Sequence, residues 1–293
     1  MQILNTCPLC NSEHLKPYSM KYEKGFPHIS RTQCTNCALV FANPMATTDE
    51  LMRFYTNYYN KDNFQALSYK EKIQAHIDQI TQSTPALLQK KYPWVSIEGK
   101  GKKYLDIGAG LGVFLSIHHQ LGYEVYGTEY DADALSFIQQ NLPKANLFQG
   151  DLLTAPYTAE QFDVIQLHHV IEHIVDPHSY MQCIKHILKP GGILIIGTPD
   201  IGAPAYQLFR RWNFLSQKVP LIVDGLEHTI VFNKSNLRKL TEKHGFEVLQ
   251  QYGEALGDRF SNIFSSDLSF RKKIARFAQT LVKVNQMLIA KKR

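Results

Sequence analysis

The sequence predicts an α/β chain built on a parallel sheet, with a small metal-stapled segment and a helical segment in front of it. Three observations carry this. From about residue 100 onward, short apolar runs alternate with helix-length amphipathic stretches, which is the spacing of βαβ units. Residues 1–45 are turn-rich and hold two CxxC pairs. Residues 46–99 read as mainly helical, most clearly from Leu67 to Lys91. The predicted division is a ribbon over 1–45, a helical lid and linker over 46–99, and a core over 100–293 with a cap at about 201–232.

Within the core each element has a local reason. KYLDIG (103–108), EVYGTE (124–129), NLFQ (146–149), FDVIQLH (162–168) and GILIIG (192–197) are strand candidates. Their apolar character suits a sheet covered by helices on both faces. Helices are predicted over 113–121, 132–141 with Asp131 as cap, 177–188, and 235–244 ended by Gly245. FEVLQQY (246–252) and MLIA (287–290) close the pattern as strands. Pro93 and EGKGKK (98–103) read as an exposed linker.

Composition narrows the class. The apolar fraction is 44% and the charged fraction 20%, values of an ordinary globular protein. There is no apolar run of about 18 residues of the kind that spans a bilayer, and MQILNTCPLC lacks the pattern of a secretory signal. A cytoplasmic location is the expectation. The net charge of +6 is a C-terminal feature: residues 267–293 hold eight basic residues and one acid, so the other 266 carry net −1. The body has no basic bias, and no nucleic-acid partner is expected.

Cys7, Cys10, Cys34 and Cys37 form CPLC and CTNC with 23 residues between them. Two such turns aim four thiolates at one point, the ligand set of a structural zinc site. All four positions being Cys argues against catalytic zinc, which keeps one position open. Cys183 lies in an apolar helix and reads as a buried core residue.

LDIGAGLG (105–112) follows a strand and starts a helix. The spacing is GxGxG rather than the dinucleotide GxGxxG, and no Walker lysine follows. Asp106 sits at the strand end, Glu129 ends the next strand, and Asp151 follows the third. A carboxylate at Glu129 suits a ribose diol.

LDIGAGLG, VYGTEYD (125–131), QGDLL (149–153), FDVIQLHHVIEH (162–173), LKPGGILIIGTPD (188–200) and EHTIVFNKSNLRKLTEKHGFEV (227–248) occur in this order. Over about 100–290 the chain thereby resembles the class I S-adenosylmethionine-dependent methyltransferases. The resemblance implies a Rossmann-like seven-stranded sheet whose last strand is inserted antiparallel. It implies that Asp106, Gly108, Ala109 and Gly110 line the methionine moiety and that Glu129 holds the ribose hydroxyls. Tyr130 would pack on the adenine face, Asp151 and Leu152 would meet its edge, and His168 would lie near the methionine portion and the acceptor. A CxxC/CxxC ribbon before such a core is similar to that of bacterial small-molecule methyltransferases, some of which modify nucleotide-linked deoxysugars.

A hydroxyl or carbon-acid acceptor needs a base. His168, His169, His173 and His228 are the candidates, with His228 preferred because it follows the fifth core strand on the acceptor side. Glu227 either orients His228, acts itself, or is plain surface. His169 and His173 in HVIEH match the letters of a zinc-protease motif, but here the segment ends a sheet strand, and Glu172 and His173 are read as ties to neighbouring loops. Tyr55, Tyr58 and Tyr59 either form a lid or pack the ribbon on the core. Tyr206, Phe209, Trp212 and Phe214 either wall a pocket or anchor the cap. FRKKIARFAQTLVKV (270–284) reads as a helix packed on the sheet, with weak contact to an anionic membrane surface as the alternative. The leading function is methyl transfer to a small molecule, a sugar nucleotide or glycan precursor. RNA, protein, a quinone-like lipid, or a non-catalytic partner-binding role are the alternatives. No Asn/Asp-Pro-Pro-aromatic motif follows the fourth core strand; the residues there are LHHV.

Overall fold

The computed structural model describes residues 1–18, 30–56, 58–59, 64–96, 98–204, 207, 228–255 and 283–293. The predicted basic tail over 270–284 lies largely outside these residues. So do Glu227, Tyr206, Phe209, Trp212, Phe214 and most of the predicted cap.

The N-terminal segment forms β1 (Leu15–Pro17), β2 (Ser30–Cys34) and β3 (Val40–Asn43), paired antiparallel in that order. The CxxC turns set their own geometry. Asn11 and Ala38, each just past a second cysteine, take left-handed φ of 56° and 61°, and their N–H groups donate to the carbonyls of Cys7 and Cys34 at 2.9 Å. Next come three helices, α1 (Thr48–Tyr55), α2 (Phe64–Thr81) and α3 (Pro85–Lys91). Thr47 and Glu50 cap α1 reciprocally, satisfying N–H groups that a helix start otherwise leaves open.

The core sheet comprises β4 (Lys103–Ile107), β5 (Glu124–Glu129), β6 (Asn146–Gln149), β7 (Phe162–His168), β8 (Leu188–Pro199), β10 (Phe246–Ala255) and β11 (Lys283–Lys292). Their order is β10-β11-β8-β7-β4-β5-β6. Strands β8 to β6 run parallel, and β11 is antiparallel to both neighbours. Helices α4 (Val113–Gln120), α5 (Ala132–Asn141), α6 (Pro177–Ile187) and α7 (Lys234–Lys243) cover it. The expected seven-stranded sheet with an antiparallel last strand is therefore present.

One correction concerns extent. β11 is ten residues long rather than the four of MLIA, because it pairs along its length with β8 and β10. Its first half carries Asn285 and Gln286, both buried, and Gln286 accepts a hydrogen bond from Gln251 at 3.0 Å. Polar residues satisfied by cross-strand partners conceal the strand from any hydropathy pattern. The linker after α3 is exposed at Pro93, Glu98, Lys100 and Gly101, as expected, while residues beside Pro93 are buried. Tyr92 and Val95 are 7% and 2% exposed and pack with Tyr104 and Tyr123, because large apolar groups outweigh the turn-forming neighbours. Cys183 is half-buried at the margin of the core rather than inside it.

The ribbon is continuous with the core. A short strand β9 (Ile230–Val231), from the segment before α7, pairs with β3 and completes a four-stranded sheet. Phe41 and Met45 share one hydrophobic cluster with Leu105, Leu167 and Leu194 of the central strands. The ribbon thus fixes a segment that borders the site.

Candidate active site

The carboxyl ends of β4, β5 and β7 open into a cavity of about 470 Å³, the position where open α/β sheets bind ligands. At its floor the chain turns sharply after β4. Gly108 and Gly110 take φ of +67° and +54°, which L side chains seldom adopt. A Cβ on Gly108 would stand 2.6 Å from Val170 Cγ2, and one on Gly110 would stand 3.3 Å from the Tyr59 hydroxyl. The turn is a cradle that only glycine leaves open.

Asp106 and Glu129 flank this cradle. Asp106 is 2% exposed; burial, with the nearby Glu129 charge, pushes its carboxyl well above the usual range. Burial also raises Glu129, against the pull of backbone N–H donors. One Glu129 oxygen accepts the Gly110 N–H at 2.8 Å, and the other accepts those of Tyr130 at 2.8 Å and Asp131 at 3.2 Å. Burial thus disfavours the charged form of both carboxyls.

The next acid is held differently. Asp151 Oδ1 accepts the Leu153 N–H at 2.8 Å. Its Oδ2 accepts the Tyr130 hydroxyl at 2.5 Å and the Tyr180 hydroxyl as well. Tyr180 lies on α6 with no motif around it, and sequence reasoning had no signal for it. The Leu152 side chain is buried in the core cluster, and it is Leu153, 48% exposed, whose side chain faces the cavity.

The opposite end is a histidine cluster. His168 closes β7 and its ring lies 4.8 Å from that of Phe114. His169 follows with a left-handed φ of 56°, held by its N–H donating to Gly197 O at 2.8 Å. The chain then makes a single 3-10 turn over Ile171–His173, not the long helix a zinc-protease motif requires. Glu172 is fully buried. One oxygen meets His169 Nδ1 at 3.1 Å and the other accepts the Thr198 hydroxyl at 2.9 Å, while the Thr229 hydroxyl donates to its carbonyl at 3.1 Å. Burial pushes the Glu172 carboxyl up, but the His169 contact and the neighbouring His173 and His228 outweigh it and hold it at about 2. Glu172 therefore ties the turn to β8 and to the segment before β9, as a carboxylate. His173 Nδ1 lies 2.8 Å from the Tyr55 hydroxyl. Its ring stacks on that of His228, with centroids 4.9 Å apart and planes 24° apart.

Tyrosines from the helical segment roof the cavity. Tyr59 donates its backbone N–H to Asp131 Oδ2 at 2.7 Å. Asp131 also caps α5, through the Ala134 N–H at 2.9 Å. Gln74 on α2 and Asn141 on α5 exchange hydrogen bonds at 2.8 and 3.0 Å. Tyr55, Tyr58 and Tyr59 thus stand over the site.

Away from this cavity, the four ribbon cysteines converge. Cys7 and Cys37 Sγ, and Cys10 and Cys34 Sγ, are each 3.6 Å apart. Tetrahedral thiolates at about 2.3 Å from a zinc ion would be separated by about 3.8 Å, so the cage fits that ion. The Leu9 N–H points at Cys7 Sγ and the Asn36 amide at Cys10 Sγ, donors that favour thiolate.

Comparison with known proteins adds the following. Residues 69–251 match the family model described as a methyltransferase domain. A ubiquinone biosynthesis O-methyltransferase of Glaesserella parasuis is 35% identical over 117 residues, covering 37% of this chain and 50% of that protein. One from Ruegeria pomeroyi is 37% identical over 119 residues, covering 37% and 45%. The chain spans about half the length of the curated relatives it matches. A crystal structure from Listeria monocytogenes, solved as a candidate S-adenosylmethionine-dependent methyltransferase, superposes with TM-score 0.51 at 12% identity, covering 70% of this chain and 96% of that one. The sugar-nucleotide acceptor expected from the ribbon resemblance finds no support in these relatives. A family model matching most of the chain, a seven-stranded sheet with its last strand antiparallel, and a glycine cradle flanked by two acids agree: the chain belongs to the class I S-adenosylmethionine-dependent methyltransferases.

Proposed function

We propose that this enzyme methylates a hydroxyl oxygen of a small acceptor, and that a quinone-related phenol is a better candidate than a sugar nucleotide. The observation that carries the reading is the lining of the cavity: a glycine cradle with the acids Asp106 and Glu129 shares it with His168, His169, His173 and His228. S-adenosylmethionine supplies an electrophilic methyl on a sulfonium. Asp106, Gly108, Ala109 and Gly110 receive its methionine portion. Glu129, oriented by three N–H donors, accepts the ribose hydroxyls. Tyr130, Asp151 and the Leu152–Leu153 segment border the adenine, with Asp151 fixed by two tyrosine hydroxyls. His168 stands between the methionine portion and the acceptor.

The acceptor hydroxyl loses its proton to the histidine end, its oxygen pair forms the new bond to carbon, and the carbon–sulfur pair departs onto sulfur. The chain's part is alignment and proton removal. His228, with Glu227 beside it in sequence, serves that end. The quinone-related preference draws on the printed names of the curated relatives and on a pocket wall of Tyr55, Tyr58 and Tyr69 that suits an aromatic acceptor. We further propose one structural Zn²⁺ on Cys7, Cys10, Cys34 and Cys37 and a reducing, cytoplasmic setting that keeps these thiols free. Among the described residues no helix is long and apolar enough to cross a membrane.

The test is a panel of hydroxylated phenols and sugar nucleotides, with mass detection of one added methyl group. Turnover of a phenol in preference to any sugar nucleotide is expected; turnover of sugar nucleotides alone would reverse the acceptor assignment. His228→Ala is expected to lower kcat/KM about 100-fold or more while leaving S-adenosylhomocysteine affinity unchanged, the scale of lost proton-transfer catalysis. Unchanged turnover would place proton removal elsewhere.

A further inference from the structure

Three donors meet at the acceptor end of the cavity. A Glu172 carboxylate oxygen, a His173 ring nitrogen and a His228 ring nitrogen all lie within 4.8 Å of one another. We propose that they form a divalent-cation site, of the zinc or iron(II) class, which binds an acceptor through two adjacent oxygens and acidifies the one to be methylated. The inference rests on the reading that this end of the cavity receives the acceptor.

The donors come from two separate parts of the chain. Glu172 and His173 lie on the turn after β7, whereas His228 is carried in by the segment that β9 pins to β3 of the ribbon. HVIEH taken as a linear motif would name His169 as a ligand. The fold instead turns His169 Nδ1 onto Glu172 Oε1 at 3.1 Å and supplies His228 in its place.

Two of the three donors are held by partners, as metal ligands are. The Tyr55 hydroxyl engages His173 Nδ1 at 2.8 Å, so Nε2 is the nitrogen that would coordinate a cation. Thr198 and His169 hold the two Glu172 oxygens. Partners of this kind fix the ring and carboxylate of a metal ligand. Donors around one cation at about 2.0–2.2 Å stand about 3 to 3.5 Å apart. The three donors already lie within 4.8 Å of one another, and His173 and His228, which would close on the cation, are partly exposed.

Two imidazoles and one carboxylate match catalytic sites that keep coordination positions open. Magnesium and calcium prefer oxygen-rich sets. His173 and His228 both line the cavity, so the open positions face the acceptor. Two oxygens of a vicinal diol or adjacent phenolic pair would occupy them. Coordination lowers the pKa of a bound hydroxyl. Its proton leaves to His168 or solvent, the oxygen pair bonds to the methyl carbon, and the carbon–sulfur pair goes to sulfur. No redox change is involved, and His228 promotes the loss of the proton through the cation it holds.

The test is Co²⁺ titration of the full chain with its ribbon already zinc-loaded, followed by visible absorption. Expected is one cobalt per chain showing ligand-field bands without the sulfur-to-metal charge-transfer band of a four-thiolate site. His173→Ala and His228→Ala should each weaken cobalt binding about 100-fold, and Tyr55→Phe about 10-fold, the range for loss of a ligand and of its supporting partner. S-adenosylhomocysteine affinity, measured on the same samples, should match wild type. It reports folding and stands apart from the metal; His228→Gln replaces the alanine variant should that one not fold. Cobalt bound only with the sulfur band, or wild-type cobalt affinity in both histidine variants, overturns the site while cofactor binding keeps the methyl-transfer reading intact.

Discussion

Glu129→Ala is expected to weaken S-adenosylhomocysteine binding by roughly 100-fold or more, with the melting temperature changed far less. The Glu129 carboxylate does two things at once. It collects the N–H groups of Gly110, Tyr130 and Asp131, which sets the glycine cradle against the end of β5. Glu129 also lines the cavity, where a ribose diol would donate two hydrogen bonds to its carboxylate. Each such bond is worth about 1.5–3 kcal/mol, so losing two removes about 3–6 kcal/mol of binding, a factor of about 100 or more. Asp106→Ala should act in the same direction, because a buried carboxyl at the cradle, with burial and the nearby Glu129 charge raising its pKa, is stabilised as a carboxylate when a ligand ammonium pairs with it. Calorimetric titration of both variants is the measurement. Wild-type affinity in both would falsify the cofactor assignment of this end of the cavity.

Removing the ribbon metal is expected to have an effect of similar size, seen in stability and in acceptor binding together. Metal analysis of freshly purified protein should give about one zinc per chain, as a four-thiolate cage predicts. Structural zinc contributes on the order of 10 kcal/mol to small domains. Even a fraction of that shifts the melting temperature of a chain this size by 10 °C or more, at about 2–4 °C per kcal/mol. Cys34→Ser or chelation should therefore produce a large drop. Because β3 pairs with β9 two residues after His228, the same treatment should raise the KM for the acceptor while leaving S-adenosylhomocysteine affinity near wild type. A metal-free protein with an unchanged melting temperature would retire the zinc cage. A stability loss without any acceptor effect would confine the ribbon to a structural role.

Much of the sheet is legible residue by residue. β5, α5, β6 and β7 begin and end where the sequence pattern predicts, and three of these ends carry a strong local signal: Glu129 ending β5, the Asp131 cap before α5, and Asp151 following β6. Such signals act over a few residues and need no partner. The glycine cradle is legible for the same reason, since a left-handed turn after an apolar strand demands glycine wherever it is folded.

The other strands are not local in this sense. β8 extends to both sides of GILIIG because β7 and β11 both offer it ladder partners. β11 enlists Asn285 and Gln286, whose polar side chains are acceptable only after cross-strand neighbours satisfy them. The extent of each is a property of the sheet rather than of the segment.

The amino-acid sequence alone determined the alternation of strands and helices in the core, the two CxxC pairs and the glycine turn with its acids, because each is specified by short-range spacing of apolar residues, glycines, acids and thiols. The tertiary structure decided which side chains meet around the cavity. It moved the Leu152 side chain into the core and turned Leu153 to the cavity. It placed Tyr180 on Asp151, and it brought His228 against Glu172 and His173 across more than fifty residues of chain. Those contacts depend on β9 joining the ribbon sheet, a two-residue pairing too short to leave a pattern in the sequence. Its stability comes from Ile230 and Phe232 packing with Phe41 and Met45 in the shared core, and burial of that kind is decided only when distant segments meet.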